Sequence, residues 1–133
     1  MVIAIIGILS SVVLASLNTA RGKGNDAKTK AQLSGLRPAA EVYFDANSNY
    51  GTEVADACDD SLSATFFSDN DFGMLQYTTQ TNYPTDATLS CHTNGTAYAV
   101  SALLLSAGVG EAWCVDSTGA SRLIPANLLD GVV

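Results

Sequence analysis

Residues 1–18, "MVIAIIGILSSVVLASLN", decide the fold of this chain, because they form an uninterrupted apolar run at the start of an otherwise acidic protein. The first 17 residues carry no charged side chain, and their only hydroxyl groups belong to Ser10, Ser11 and Ser16. As a helix that rises ~1.5 Å per residue, such a run covers about 26 Å, slightly less than the ~30 Å hydrocarbon core of a bilayer. The run is therefore a short candidate for a membrane span.

Small side chains recur every fourth position inside this run, at Gly7, Ser11 and Ala15. On a helix they form one narrow face, where the backbone of another helix can approach closely. The same residues are also common in any membrane helix. The spacing therefore predicts a helix-packing face, and the residues that follow the run support that interpretation.

Composition and charge narrow the class of protein. The chain has 133 residues, enough for one domain, and 14% of them are charged, against about a quarter in typical soluble domains. Residues 1–37 hold five basic side chains and one acid, a net charge of +4, and residues 38–133 hold one basic side chain and twelve acids, a net charge of −11. The acidic part repels the phosphates of nucleic acids, and only the short basic stretch attracts them. We therefore expect no specific nucleic-acid partner.

The next segment, residues 25–46, has the spacing of an amphipathic helix. Its apolar positions follow helical periodicity: Leu33, Leu36, Ala40 and Tyr43. Gly22 and Gly24 predict a soft joint between this helix and the apolar run, and Pro38 predicts a bend, because proline removes a backbone donor and crowds the preceding turn. The sequence "DANSNYG" at 45–51 predicts the end of the helix.

Taken together, "VIAIIGILSSVVLASLN" and the amphipathic helix ending in "YFDANSNYG" resemble a type IV pilin or a pseudopilin of a type II secretion system. The resemblance covers about the first 51 residues closely, and "AYAVSALL" and "EAWCVDSTGAS" further along are similar to pilin sheet strands. It implies a precursor cleaved and N-methylated by a prepilin peptidase, a single pass through the inner membrane, and assembly by dedicated machinery into an extracellular helical filament.

The resemblance is incomplete at the start of the chain. The family has a leader glycine followed by an aromatic residue and a "TLIELL"-like stretch, and no such segment stands before Met1, so no prepilin cleavage site is assigned. We expect a truncated start. The positive-inside rule alone would place residues 21–37 in the cytoplasm, whereas the family places them outside. A secretory signal stays open as an alternative, although no basic stretch precedes the run.

The remainder, residues 51–133, is predicted to be a globular head. Residues 51–88 are rich in turn-forming residues and indicate a variable loop region with a short helix at 61–67. Asn94 and Gly95 separate two β-prone stretches and predict a hairpin within an antiparallel meander of strands at 89–93, 96–105, 111–116 and 120–124. A tail, 125–133, follows. The predicted fold is α+β: residues 1–20 form a membrane or filament-core helix, and residues 21–50 an amphipathic helix packed on a small antiparallel sheet.

Alternation along the predicted strands assigns their side chains to faces. Tyr98, Val100, Ala102 and Leu104 share one face of their strand, and Trp113 and Val115 share one face of the next. Packing in the core is their predicted role.

Three cysteines, Cys58, Cys91 and Cys114, allow three different single disulfides and leave one thiol over. An extracytoplasmic protein is expected to form one bridge. The predicted register places Cys91 opposite Tyr98 and Cys114 opposite Ala102, too far apart for a bridge. We therefore predict a Cys58–Cys91 disulfide.

Candidate chemical sites are few. "SDNDFG" at 68–73 resembles the start of a calcium loop through Asp69 and Asp71, but without a distal glutamate a solvated acidic loop is the stronger interpretation. His92 is the only histidine of the chain, and neither a catalytic triad nor a zinc site can be assembled around it. Asn94 and Thr96 form a glycosylation sequon inside the predicted turn. We expect no enzyme activity and no cofactor.

These observations predict a structural subunit that forms a type IV pilus-like filament with copies of itself through its N-terminal helix. Two alternatives stay open: a minor pseudopilin of a secretion or DNA-uptake apparatus, and a secreted binding module whose first residues are a signal. An N-terminus near Leu17 in the mature chain would favour the module.

Overall fold

One long helix runs through the first third of the chain in the computed structural model, which describes residues 1–55, 58, 66–106 and 110–125. This helix, α1, spans Val2–Asn47, 46 residues or about 70 Å. It continues through Gly22, Gly24 and Pro38, so the predicted soft joint is not a break in the helix. The apolar run and the amphipathic segment therefore form one continuous element.

The end of α1 follows the prediction made from residues 45–51. Ser48 adopts the left-handed conformation, with φ 59°, and its N–H donates to the Phe44 carbonyl at 2.6 Å. Such a residue satisfies a terminal carbonyl of the helix and turns the chain away. Tyr50 then donates its N–H to the Gly95 carbonyl at 2.8 Å, which ties the exit of α1 to the hairpin of the sheet.

The head contains a four-stranded antiparallel sheet in the order β1-β2-β3-β4, which confirms the predicted α+β fold. The strands are β1 Leu89–Thr93, β2 Tyr98–Leu103, β3 Glu111–Asp116 and β4 Ser121–Pro125. Two of them match their predicted bounds, β2 is shorter at both ends, and β4 begins and ends one residue later than predicted.

The predicted register of the sheet is wrong. Cys91 pairs with Val100, and Cys114 pairs with Ser101. The first difference arises because Asn94 closes a four-residue loop: its Oδ1 accepts the N–H groups of Thr96 and Ala97, at 3.0 and 2.8 Å. Thr93 therefore pairs with Tyr98. The second arises because Val100 pairs with Val115, which places both side chains on the face packed against α1.

The main core lies between α1 and the sheet. Leu33, Leu36 and Ala40 are fully buried, as the helical periodicity predicts. Tyr98, Val100 and Ala102 pack into the same cluster together with Val115, and Trp113 packs against it, which confirms the predicted faces for these residues. Leu104, predicted on the same face, is buried but lies beyond the end of β2. A second cluster, on the opposite face of the sheet, contains Ala99, Ala112, Cys114 and Ile124.

The region between α1 and the sheet adds short helical turns to the core. Part of the helix predicted at 61–67 lies outside the described residues, and Phe66–Ser68 form a 3-10 turn. The short helix α2, Leu75–Thr78, and a 3-10 turn at Gln80–Asn82 follow. Phe66 and Phe67 are fully buried, and the Phe66 ring lies 5.5 Å from those of Tyr50 and Tyr98. Residues 66–82 thus form more helical turns than the predicted loop, and the aromatic side chains of Phe66 and Phe67 complete the core.

Candidate functional site

Residues 1–20, called the apolar segment here, are exposed along their whole length. Ile3 is 87% exposed, Ile8 67% and Leu14 61%. Burying a side chain of this size is worth about 1.5–3 kcal/mol relative to leaving it in water. The summed cost of exposure is large, so the apolar segment requires lipid or another protein surface around it.

α1 is long enough, and apolar enough in its first part, to cross a membrane, and none of that part is buried in the head. A core helix of a soluble domain would bury one of its faces. Twenty residues rise about 30 Å, close to the thickness of the hydrocarbon core. Length, composition and exposure are therefore all consistent with a span.

The three small residues predicted to form a packing face are exposed on the apolar segment. A Cβ built on Gly7 meets nothing within 4 Å, so this position is open. The hydroxyl of Ser11 donates to the Ile8 carbonyl at 2.8 Å, which satisfies it within its own helix. With Ala15 two turns beyond Gly7, the face presents little bulk and no unpaired hydroxyl donor. Close approach of another helix at this face stays a prediction.

A second small-residue position was missed by the sequence reasoning. A shallow groove of about 350 Å³ lies on the apolar segment, lined by Val12, Val13, Ser16, Leu17 and Ala20. Ser16 and Ala20 are one turn apart and leave space between larger neighbours. The signal for it in the sequence is the four-residue spacing of these two small residues.

A buried carboxylate joins the base of the head to α1. Asp26 is 8% exposed and accepts the N–H of Leu105 at 2.8 Å, and the N–H and hydroxyl groups of Ser106. Ser106 also lies against Gly22, where an added Cβ would be 3.3 Å from the serine Cβ. Sequence reasoning counted Asp26 only as the lone acid of a basic stretch, because its partners are about 80 residues away in the chain.

Two of the basic residues on α1 are used inside the molecule. The Lys30 ammonium lies 4.5 Å from the centre of the Trp113 ring, and Arg37 donates to the Ala120 carbonyl and to the Ser121 hydroxyl. A cation over an aromatic ring is attracted to its electron-rich face. Together with Asp26, these contacts fix the second half of α1 against the sheet.

The predicted disulfide is confirmed: Cys58 and Cys91 are bonded, with their Cα atoms 4.8 Å apart. The bond links Cys58, in the segment between α1 and β1, to Cys91 on β1. Cys114 is a buried free thiol, and burial, together with the nearby Asp116, raises its pKa. Cys91 and Cys114 lie in clusters on opposite faces of the sheet, and this separation excludes their pairing even though the predicted register is wrong.

The other candidate sites have local roles. Asp69 accepts the Phe72 N–H through Oδ1 at 2.7 Å, which forms a turn, and Asp71 is exposed beside it. Within the described ranges, no three metal-ligating side chains lie together. His92 lies on β1 and pairs with Ala99. The Asn94 side chain is engaged in its own loop, where its Oδ1 also accepts the Thr96 hydroxyl at 2.9 Å.

The structure is thus a long helix whose first half is exposed and whose second half packs against a head that contains one disulfide. The exposed half is an apolar surface, and such a surface requires lipid or another protein around it. No family model, no curated protein and no solved structure matches this chain.

Proposed function

We propose that this chain is a structural subunit of a type IV pilus-like filament, held in the inner membrane by its apolar segment and then assembled with copies of itself through that same segment. The observation that carries the proposal is the contrast within α1. Residues 1–20 bury no large side chain, whereas residues 26–40 of the same helix contribute five buried positions to the junction with the head.

The apolar segment suits both environments that such a subunit occupies. In lipid, its apolar side chains face hydrocarbon on all sides and its backbone is internally hydrogen-bonded. In a filament, the small residues Gly7, Ser11 and Ala15 allow neighbouring helices to approach closely, and the larger side chains fill the space between them. When the subunit leaves the membrane for the filament, neighbouring helices replace the lipid around the apolar segment. The segment therefore stays out of contact with water in both environments.

The second half of α1 suits a rigid connection. Asp26 contacts the loop that follows β2, and Lys30 and Arg37 contact the sheet, at separate positions along the helix. A force on the head is thus transmitted to the helix at several points. In this proposal the acidic heads form the outer surface of the filament. A prepilin peptidase and an assembly machinery are the partners implied.

The experiment has two parts. The first determines the N-terminal residue of the native protein, and the second locates the protein in sheared, pelleted fibres by immunogold electron microscopy. Fibres labelled along their length, whose subunits retain the apolar segment, would support a filament subunit. Label confined to fibre tips would favour the minor pseudopilin. A soluble chain beginning near Leu17 would overturn the proposal in favour of a secreted module.

A further inference from the structure

Three exposed cations directly follow the apolar segment: Arg21, Lys23 and Lys28, called the basic collar here. Within the part of the chain that the structure describes, none of the three makes a hydrogen bond or an ion pair. The acid among them, Asp26, is buried and bonded to the head. Among the described residues, the positive charge of the collar is therefore uncompensated.

The position of the basic collar along α1 matches the depth of lipid headgroups. Measured along the helix axis, Arg21 and Lys23 lie within about 5 Å of residue 20, and Lys28 lies about 12 Å from it. The headgroup region adds about 5–7 Å on each side of the hydrocarbon core. Two of the cations thus lie at headgroup level when residues 1–20 span the core. The third lies within about one Debye length of it.

The base of the head reaches the same level. Ser106 packs on Gly22, two residues beyond the apolar segment, and its neighbour Leu105 is 41% exposed. This exposed apolar side chain therefore lies at the same end of the head as the collar. Glu111, at the same end of the sheet, is half-buried, and its single negative charge leaves this surface net positive.

We propose that the basic collar binds anionic phospholipid headgroups while the apolar segment lies in the bilayer. The inference rests on the membrane placement in the proposed function and adds the lipid class. Anionic headgroups match three exposed ammonium and guanidinium groups that have no other partner among the described residues, and they lie where the helix leaves the hydrocarbon. Contact with anionic lipid would neutralise the positive charge of the collar before the subunit assembles into a filament.

The test uses the single tryptophan, Trp113, as a fluorescence donor, since its ring lies against Lys30, two residues beyond Lys28. The full chain is reconstituted into phosphatidylcholine vesicles that contain a small fraction of dansyl-labelled phosphatidylglycerol or, separately, dansyl-labelled phosphatidylcholine. The collar variant is Arg21→Gln, Lys23→Gln, Lys28→Gln. Its matched control, Arg21→Lys, Lys23→Arg, Lys28→Arg, keeps all three charges. Co-flotation with vesicles and circular dichroism verify insertion and folding.

We expect energy transfer to the anionic label to exceed transfer to the neutral label. At low salt, each cation should raise the affinity for the anionic lipid over the neutral lipid by up to about fivefold. About 1 M NaCl, where the Debye length is about 3 Å, should abolish the preference. The glutamine variant should lose it and the charge-conserving control should keep it.

Equal transfer to both labels by inserted wild-type protein would overturn the lipid assignment and leave the proposed function intact. Equal transfer together with loss of self-association in the glutamine variant would assign the collar to another copy of the chain instead. Failure to co-float with either vesicle would overturn the membrane placement, and with it both proposals.

Discussion

Gly51 lies where the chain leaves α1, and its backbone and its surroundings both require glycine. Its φ is +77°, and an added Cβ would lie 2.8 Å from the Phe66 Cβ. We expect Gly51→Ala to lower the free energy of unfolding of the detergent-solubilised chain by more than the about 1–3 kcal/mol of a strained φ alone. Gly119→Ala is the matched control, because Gly119 has φ +88° and nothing within 4 Å. Equal losses, measured by denaturant unfolding, would show that the Phe66 contact is unimportant.

Cys114 should be the only thiol that alkylation detects, and only after unfolding. It is 2% exposed, and burial, together with Asp116, raises its pKa, so the thiol stays neutral and shielded at pH 7. Iodoacetamide followed by mass spectrometry without reduction should find no label on the native chain and one on Cys114 in denaturant. Label on Cys58 or Cys91 under these conditions would contradict the disulfide.

Asp26 should stabilise the junction between α1 and the head. Replacing it with alanine removes a charged acceptor from the N–H groups of Leu105 and Ser106. Hydrogen bonds to charged groups are worth about 1.5–3 kcal/mol, so Asp26→Ala should accelerate hydrogen exchange at these two amides. Asp45→Ala, on the exposed side of α1, is the control and should leave their exchange unchanged. Unchanged exchange in Asp26→Ala would mean that the loop is held by other contacts.

At the scale of elements, the first half of α1 offers a test that separates folding from assembly. Gly7 has no neighbour within 4 Å, so Gly7→Leu should leave the isolated subunit unchanged. In a filament, the added bulk would hold helices apart and cost about 1–3 kcal/mol, which corresponds to about a 5- to 150-fold weaker association. Fibre yield from cells with equal membrane levels of the protein is the measurement.

Ile8→Leu is the control for that change, because it alters the side chain next to Gly7 and keeps its volume. It should leave fibre yield close to that of the wild type. Equal yields from Gly7→Leu and Ile8→Leu would show that the face formed by Gly7, Ser11 and Ala15 has no packing role.

At the scale of the whole molecule, the apolar segment and the head are expected to be separable. Deleting residues 1–20 removes most of the exposed large hydrophobic side chains that the structure describes; those remaining in the described ranges are Val42, Phe44, Leu105 and Leu123. The contacts of Asp26, Lys30 and Arg37 with the head are all retained. We expect residues 21–133 to be a soluble monomer by size-exclusion chromatography with light scattering. Fibres formed by the truncated chain at a comparable concentration would contradict assembly through the apolar segment.

Local sequence patterns were sufficient for α1 and for the number of strands in the sheet, but not for α2 or the 3-10 turns before the sheet. The apolar run and the spacing of Leu33, Leu36 and Ala40 determined α1 and its buried face, because helical periodicity is a property of neighbouring residues. Turn-forming residues determined the meander and two strands with their bounds. An extracytoplasmic setting and three cysteines predicted one bridge, and the Cys58–Cys91 pairing is confirmed. The predicted register that excluded Cys91–Cys114 is wrong, and the tertiary structure supplies the actual reason, because the two cysteines lie in clusters on opposite faces of the sheet.

Tertiary structure alone decided the register and the polar contacts. The side chain of Asn94 closes a four-residue loop, so Thr93 pairs with Tyr98, two residues later on the second strand than a two-residue turn at Asn94 and Gly95 would give. The core faces of Val100 and Val115 set the next pairing. Asp26, Lys30 and Arg37 look alike as exposed charges in the sequence, yet each contacts a part of the head about 80 residues away. A polar side chain gains stability only from the partner that folding brings to it, so no local pattern identifies that partner.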